Sequence, residues 1–189
     1  MGLVRRLTDA IAERRGDTNK PTETGDDGMV NVNGRAAIVA YYYDVSPRQA
    51  RHIAAVLRDR MDRANDVTVR EIAAGIREET GLSPEVAGRI AHNERASIVN
   101  TSIVAAYEER SGVEGKLFHL PGDIDEDSHP VRVDVDERIR EHGGAVSLSE
   151  LRDLFREAAE KYEDEGGTPE RVDHWLAHER PRYTITRYR

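Results

Sequence analysis

The longest uninterrupted helical pattern in the chain is SPEVAGRIAHNERASIVNTSIVAAYEER, residues 83–110. Serine caps helix N-termini, and proline is favoured at the first helical position, so Ser83 and Pro84 mark a helix start. Apolar residues then recur with the spacing of one helix face. The pattern predicts a single long helix that ends near Arg110.

Two more helices are predicted before this one. A serine–proline pair at positions 46–47 starts a helix that should run to about residue 64. Thr68 and Glu71 have the spacing of a capping box, in which each side chain bonds the other residue's backbone amide. Gly81 then ends that helix, because glycine readily adopts the left-handed conformation that closes a helix.

Three short runs are candidates for extended structure. The apolar run 36–43 ends in three tyrosines and fits either a strand or the first turns of a helix, because its length does not distinguish them. Residues 116–120 predict a short strand, and residues 183–188 alternate as a strand does. We expect the last two runs to form a small sheet.

The remaining C-terminal residues predict helices and turns. After an acidic loop at 122–130, a helix is expected over 133–142, ended by a pair of glycines. Ser147 and Glu150 form a second capping box, which opens a helix that ends before Gly166. A short helix after Thr168-Pro169 carries Trp175. The predicted fold class is therefore mainly α (α+β), a helical body with a small β element in the C-terminal third.

The N-terminal sequence predicts a detachable arm. Leu3, Leu7 and Ile11 lie four residues apart on one side of an amphipathic helix over residues 2–15. A helix of this length is marginal alone in water, so we expect it to dock on a partner. Its basic residues are Arg5, Arg6, Arg14 and Arg15. We divide the chain into a docking helix and flexible linker, a helical connector and a C-terminal domain, at residues 1–34, 35–64 and 65–189.

Composition excludes several kinds of chemistry. The 189 residues include no cysteine, which rules out disulfides, thiolate nucleophiles and cysteine-based zinc sites. No stretch approaches the roughly 20 apolar residues of a membrane span, and no apolar segment follows the early arginines as in a secretory signal. Neither a phosphate loop nor a nucleophile elbow is present. We therefore expect a non-enzymatic protein without membrane insertion, catalytic residues, metal or cofactor.

The charge balance is acidic and poor in lysine. There are 36 acidic and 28 basic residues, for a net charge of −8. The lysines are Lys20, Lys116 and Lys161. Such a composition is typical of proteins that work in concentrated salt, where self-repulsion is screened, and it also results from GC-rich codons. A net acidic chain is a poor candidate for wrapping duplex DNA.

Clustered histidines and acids are the candidate metal ligands. His174 and His178 are four residues apart and would share a face of a helix, as metal-binding pairs do. Asp123, Asp125 and Asp127 supply oxygens at alternate positions, but the glycine and distal glutamate of a calcium loop are missing. Hydrogen-bonded histidines and a solvated acidic turn are the favoured interpretations.

The C-terminal tail is rich in arginine and tyrosine. Arginine with interleaved aromatics can grip phosphates or stack on bases, which makes DNA contact one hypothesis. The alternative, which we favour, is an edge strand whose charged outer positions prevent aggregation. The arginines concerned are Arg180, Arg182, Arg187 and Arg189.

Three segments, taken in order, resemble the Mu F-like minor head proteins (the phage head morphogenesis domain). Residues 91–94 with Asn100 are similar to the family's "ARTE…N" segment, in which Glu94 holds the glutamate position. Residues 125–130 resemble its "D-x-R-T-C-P" turn, and residues 175–182 its closing "W…H-P-x-C-R" motif. The matching residues of the last two are Asp125, Ser128, His129, Pro130, Trp175, His178 and Arg182.

The departures from the family pattern concern its possible chemistry. Both cysteine positions are replaced, by His129 and Pro181, and the turn's arginine is Asp127. A thiol or metal role carried by those positions is therefore doubtful in this chain. The resemblance also implies that the 123–130 turn and the 175–182 segment lie side by side, with Trp175 as a buried anchor.

The resemblance implies a structural virion protein at the portal vertex. Such a protein binds the viral portal and neighbouring head or connector proteins, enters the head, and acts in assembly and in DNA packaging or ejection. It would be made in the host cytoplasm, and the composition fits a tailed virus of haloarchaea. The alternatives are an adaptor ring protein of the head–tail connector and a DNA-binding accessory factor, which would contact packaged DNA through the arginine-rich tail.

Overall fold

A computed structural model describes residues 30–63, 67–111 and 115–188. It is mainly helical, with a small antiparallel sheet, as predicted. The α-helices are α1 (Val32–Tyr42), α2 (Pro47–Arg63), α3 (Val69–Thr80), α4 (Pro84–Ser111), α5 (Pro130–Glu141) and α6 (Leu148–Lys161). Two 3-10 helices follow at Glu163–Glu165 and Pro169–His174, and the strands are β1 (Phe118–His119) and β2 (Thr186–Arg187).

The predicted caps set the helix boundaries. Both capping boxes are formed, Thr68 with Glu71 at α3 and Ser147 with Glu150 at α6. Gly81 ends α3 in the left-handed conformation, with φ 70°. Residues 36–42 of the apolar run are helical and Tyr43 follows the end of the helix. The Asn31 side chain caps α1 by accepting a 3.0 Å hydrogen bond from the Gly34 amide.

A first hydrophobic cluster joins the helices of the N-terminal half. Buried residues of α1, α2, α3 and the first half of α4 pack into one core, which includes Val39, Leu57, Ile72 and Ile90. This core contains residues on both sides of the expected boundary at 64–65. The buried residues between Ala36 and Met61 therefore pack in one core with those of α3 and α4.

A second cluster fills the C-terminal half. Phe118, Val135, Leu151 and Trp175 are buried in it together with Val104, which belongs to the second half of α4. Helix α4 therefore spans both cores, and this is why its apolar residues are not confined to one stripe. It is the element against which both halves of the molecule pack.

The small sheet is shorter than the alternating sequence predicted. Phe118 pairs with Arg187 and His119 with Thr186, and Phe118 also bridges to Val146 on its other side. Residues 183–185 do not join the ladder, because the Ile185 amide donates to a side chain of α4 instead. Within the described residues, no helix combines the length and apolar character that crossing a lipid bilayer requires.

One predicted helix boundary needs correction. Helix α5 begins at Pro130 and not at Val133. His129 acts as its N-cap, because Nδ1 of its ring accepts a 3.2 Å hydrogen bond from the Val131 amide. Proline at the first helical position is favoured since its missing N–H would be unpaired there anyway.

Candidate functional site

Helix α4 carries four polar side chains into the interior, where the resemblance segments meet. Asn93, Glu94, Ser97 and Asn100 are each 0% exposed. Burying polar groups is costly unless they find hydrogen-bonding partners. Their partners come from residues 35–43 and from residues 171–185, so α4 connects the two ends of the described chain.

Glu94 is the centre of a buried ionic network. Its carboxylate accepts hydrogen bonds from Arg35 (2.9 Å), Arg171 (2.8 Å) and the Tyr43 hydroxyl (2.7 Å). Burial, reinforced by the Glu94 charge, raises the pKa of Tyr43 far above its usual value, so the hydroxyl stays protonated and donates. The Arg171 guanidinium also lies over the Tyr42 ring, at 4.5 Å from its centroid.

Ser97 extends this network to the 3-10 helix Pro169–His174. Its hydroxyl donates to the His174 carbonyl at 2.8 Å and accepts from Arg35 at 3.2 Å. Because a hydroxyl has one donor and two acceptor positions, it can serve both groups at once. The end of the 3-10 helix is thereby fixed to α4.

Two asparagines of α4 hold the closing segment, defined here as residues 175–188. The Asn93 side-chain oxygen accepts from the Arg180 amide at 2.7 Å, and that of Asn100 accepts from the Ile185 amide at 3.0 Å. The residues are seven apart, which is close to two helical turns, so both face the same side of α4. Side chains of α4 thus accept hydrogen bonds from backbone amides of the closing segment that do not take part in the sheet.

The acidic turn, residues 122–130, is stabilised by its own hydrogen bonds. Asp125 accepts from the Ser128 hydroxyl at 2.8 Å and from the Asp127 amide at 3.2 Å. His129, near the end of the same turn, donates from Nε2 to the Glu165 carbonyl at 2.9 Å. These bonds give the acidic turn a local structural role, which agrees with the favoured interpretation.

The acidic turn and the closing segment are neighbours, as predicted. The rings of His129 and His178 stack with centroids 4.1 Å apart and planes within 7°. His178 donates from Nδ1 to the Glu179 carbonyl at 2.9 Å. Burial lowers the pKa of His178 to about 4, and the nearby His129 and Arg132 charges act in the same direction. The imidazole is therefore neutral near pH 7.

Trp175 is the buried anchor that the resemblance implies. Its side chain is 3% exposed, and the Arg152 guanidinium lies 4.8 Å from its ring centroid. The Tyr183 hydroxyl donates to the Trp175 carbonyl at 3.2 Å and accepts from the Ala177 amide at 3.1 Å. Burial raises the pKa of Tyr183, which keeps this donor protonated.

His174 and His178 do not share a helix face, which the disfavoured metal-binding hypothesis would require. The 3-10 helix ends at His174, and Trp175 adopts the left-handed conformation with φ 54°. His174 turns toward the Tyr42 ring, at a centroid distance of 6.4 Å, while His178 stacks on His129. Among the residues that the structure describes, no group of three or more histidines and acids is arranged to hold a metal ion.

The arginines of the tail are distributed over two places. Arg180 and Arg182 are exposed and line a cavity of about 390 Å³ beside the acidic turn. Arg187 is exposed in β2, where it agrees with the edge-strand interpretation. Arg189 lies outside the described residues, and so do the arm residues Leu3, Arg5, Arg6, Leu7 and Ile11.

Three residues of the Glu94 network were not identified from the sequence. Arg35 was placed at a linker boundary, Tyr43 in a run of unknown class, and Arg171 in a short helix noted only for Trp175. They lie 59, 51 and 77 residues from Glu94 along the chain. No local pattern signals such partners, because helical periodicity describes contacts only three or four residues apart.

Comparison with known proteins adds no relative to this description. No family model, curated protein or solved structure matches the chain.

Proposed function

We propose that this protein is a structural virion protein, a minor head protein of the Mu F-like type associated with the portal vertex of a tailed virus. The observation that supports the proposal is the convergence of the three resemblance segments. These segments come from distant parts of the sequence. Residues 91–100 bond the closing segment, and the closing segment in turn stacks against the acidic turn.

Four of the residues that carry the resemblance hold the domain closed. Glu94 and Asn100 pair with groups of other segments, His178 stacks against the acidic turn, and Trp175 fills the C-terminal core. Each side chain is buried and engaged. In a catalytic site, by contrast, a nucleophile or base must be able to reach a substrate. This supports a structural rather than an enzymatic role.

The test is the protein composition of purified virus particles from cells that carry the gene. We expect the full chain in DNA-filled heads, at far lower abundance than the major capsid protein, and copurifying with the portal protein after head disruption. Quantitative mass spectrometry measures both. Abundant protein in the lysate but none in particles would overturn the proposal.

The same measurement distinguishes the adaptor alternative. An adaptor ring protein is present in a fixed ratio to the portal subunits and stays on isolated connectors after the head is opened. A minor head protein is released with the head contents. Recovery on isolated connectors in a fixed stoichiometric ratio would therefore replace the minor head assignment with the connector assignment.

A further inference from the structure

Helix α1 presents an uncharged surface to the outside of the domain. Its inner side packs into the first hydrophobic cluster through Ala36 and Val39. Arg35 is the only charged residue between positions 30 and 43, and it is buried in the Glu94 network. The outer side of α1 therefore carries no charge, although charged residues make up 34% of the chain. A helix that is apolar all round is normally buried all round, so the outer side of α1 lacks a cover that its composition calls for.

The outward face of α1, defined here as Gly34, Ala37, Ile38 and Tyr41, has the spacing of neighbours on one side of a helix. Ala37 is exposed, and Tyr41 is 55% exposed. Gly34 and Ile38 are half-buried, and within the described part of the chain Ile38 belongs to neither hydrophobic cluster. The exposed positions of α2 and α3, by contrast, are mostly charged. The outward face of α1 is therefore unlike the solvent-facing sides of the helices that pack beside it.

Gly34 leaves open space on this face. A Cβ at position 34 would meet only the Asn31 side chain, at 3.7 Å, and the backbone of Gly34 is not left-handed. Neither packing within the described residues nor backbone conformation therefore requires a glycine here. Gly75 of α3 differs, because a Cβ there would come within 3.0 Å of the Val56 side chain. Glycine weakens a helix, and at position 34 its use is explained by the close approach of a second molecule.

The outward face is complementary to itself in shape. Its small residues, Gly34 and Ala37, lie toward the N-terminal end of α1, and its large residues, Ile38 and Tyr41, lie toward the C-terminal end. When two copies of α1 pack in antiparallel directions about a two-fold axis, Tyr41 lies opposite Gly34 of the second copy, and Ile38 lies opposite Ala37. Each large side chain then meets a small one. The arrangement also places helix ends of opposite partial charge side by side.

We propose that the outward face of α1 binds the same face of a second copy of this chain, which gives a dimer with two-fold symmetry. A partner of another sequence has to supply both a side chain that fits over Gly34 and a gap that receives Tyr41, whereas a second copy supplies both by symmetry. Helix α1 has 11 residues and is about 16 Å long. The contact is therefore small, and a dimer held by it dissociates on dilution. This inference does not rest on the proposed function.

The test is sedimentation velocity of the full chain over concentrations from about 1 μM to 1 mM, a range that covers weak dimers. We expect the wild type to change from monomer to dimer within this range. In Gly34→Leu, the new side chain fills the space that Tyr41 of the second copy would enter. The association constant should therefore fall about tenfold or more, while circular dichroism shows an unchanged helix content. Gly88→Leu is the matched control, because a Cβ at position 88 of α4 also meets no neighbour. It should dimerise as the wild type does.

Cross-linking through an introduced cysteine locates the contact. The chain has no cysteine of its own, so a single substitution creates its only thiol. Ala37 lies next to the two-fold axis of the proposed dimer, and Ala37→Cys should therefore form a disulfide-linked dimer under mild oxidation. Ala74→Cys, at an exposed position of α3, is the control and should remain monomeric. Adding Gly34→Leu to Ala37→Cys should suppress the cross-link.

Three outcomes would overturn the proposal. They are a wild type that stays monomeric over the whole concentration range, an equal loss of association in Gly34→Leu and Gly88→Leu, and equal cross-linking from positions 37 and 74. A protein that dimerises only after deletion of residues 1–28 would also overturn it and would identify the N-terminal segment as the occupant of this face. The presence of the protein in virus particles is measured separately, so failure of this test leaves the proposed function standing.

Discussion

Glu94 accepts a hydrogen bond of 2.8 Å from the Arg171 guanidinium across 77 residues of sequence, in a place where the carboxylate is fully buried. Arg35 donates to the same carboxylate from the opposite end of the described chain. The Glu94 carboxylate therefore forms ion pairs with two arginines, and these connect α4 to α1 and to the 3-10 helix Pro169–His174. The stability of both halves of the molecule depends on this carboxylate.

Replacing Glu94 by glutamine should destabilise the fold strongly. The substitution keeps the shape but removes the charge that Arg35 and Arg171 share in the interior. Breaking a buried ion pair costs about 3–5 kcal/mol, because here the buried Arg171 guanidinium loses its carboxylate partner. Urea denaturation followed by circular dichroism measures the free energy of unfolding. Glu108→Gln, at an exposed position of the same helix, is the control. A loss below about 1 kcal/mol at Glu94 would contradict the network.

Replacing Asn100 by alanine should loosen the closing segment locally. The change leaves the Ile185 amide without its 3.0 Å acceptor in a buried position. An unsatisfied buried group costs about 1–3 kcal/mol. Hydrogen exchange at the Ile185 amide should accelerate by a corresponding factor, while amides of α2 keep their protection. Ser102→Ala on the same helix serves as the control, and equal exchange in both variants would show that Asn100 does not hold the segment.

Replacing Trp175 by alanine should lower the free energy of unfolding by about 3–5 kcal/mol, because removing a large buried ring leaves a cavity. The ring is 3% exposed and packs within the C-terminal core. Tyr188→Ala removes an aromatic ring that is 47% exposed and should cost under about 1 kcal/mol. Thermal unfolding followed by circular dichroism compares the two variants. Similar melting temperatures would mean that Trp175 is not an anchor.

The stability of the protein should decrease between about pH 6.5 and pH 4 through His178. Burial lowers the pKa of this imidazole from 6.5 to about 4 in the folded state. The unfolded chain therefore binds more protons in this window, and the free energy of unfolding falls as the pH is lowered. The largest loss is about 3 kcal/mol, reached near pH 4. Urea denaturation at several pH values measures it.

The variant His178→Gln isolates this contribution from that of the carboxylates. It lacks the titrating group, so the difference in unfolding free energy between wild type and variant should shrink as the pH falls from 7 toward 4. The carboxylates titrate in both proteins and cancel in the comparison. A difference that stays constant over this range would show that His178 is not kept neutral by burial.

Deletion of residues 1–28 should leave the helical body folded and weaken binding to the portal or a neighbouring subunit. The prediction rests on the amphipathic sequence pattern of residues 2–15. Circular dichroism and a pull-down with the partner measure the two effects. In the full chain, Leu7→Asp should reproduce the binding loss, because it places a charge on the apolar side. Global unfolding of the deletion variant would instead assign these residues to the core.

The helices were predictable because their signals are local. The capping boxes at Thr68 and Ser147, the left-handed glycine at position 81 and the proline that opens α4 each act within a few residues. Their energies do not depend on distant parts of the chain. The pairing of the two short strands was also predictable. However, the Ile185 amide donates to the Asn100 side chain of α4 and does not take part in the sheet.

The candidate site was predictable only in part. The resemblance placed the acidic turn beside the closing segment, and the His129–His178 stack confirms that placement. It identified Glu94 and Asn100 but not their partners. The sequence did not show that His174 and His178 point to different places, because this results from the left-handed backbone of Trp175. A non-glycine residue adopts that backbone conformation only rarely.

The sequence by itself determined where helices begin and end, the mainly helical class and the absence of cysteine chemistry. Only the tertiary structure decided that residues 36–42 are helical, that one buried carboxylate bonds two arginines, and that Arg180 and Arg182 lie beside the acidic turn. Helix starts and stops depend on hydrogen bonds spanning three or four residues, which a sequence displays directly. The other features depend on which distant groups are buried together, and the energy of a buried charge is set by neighbours that no local pattern specifies.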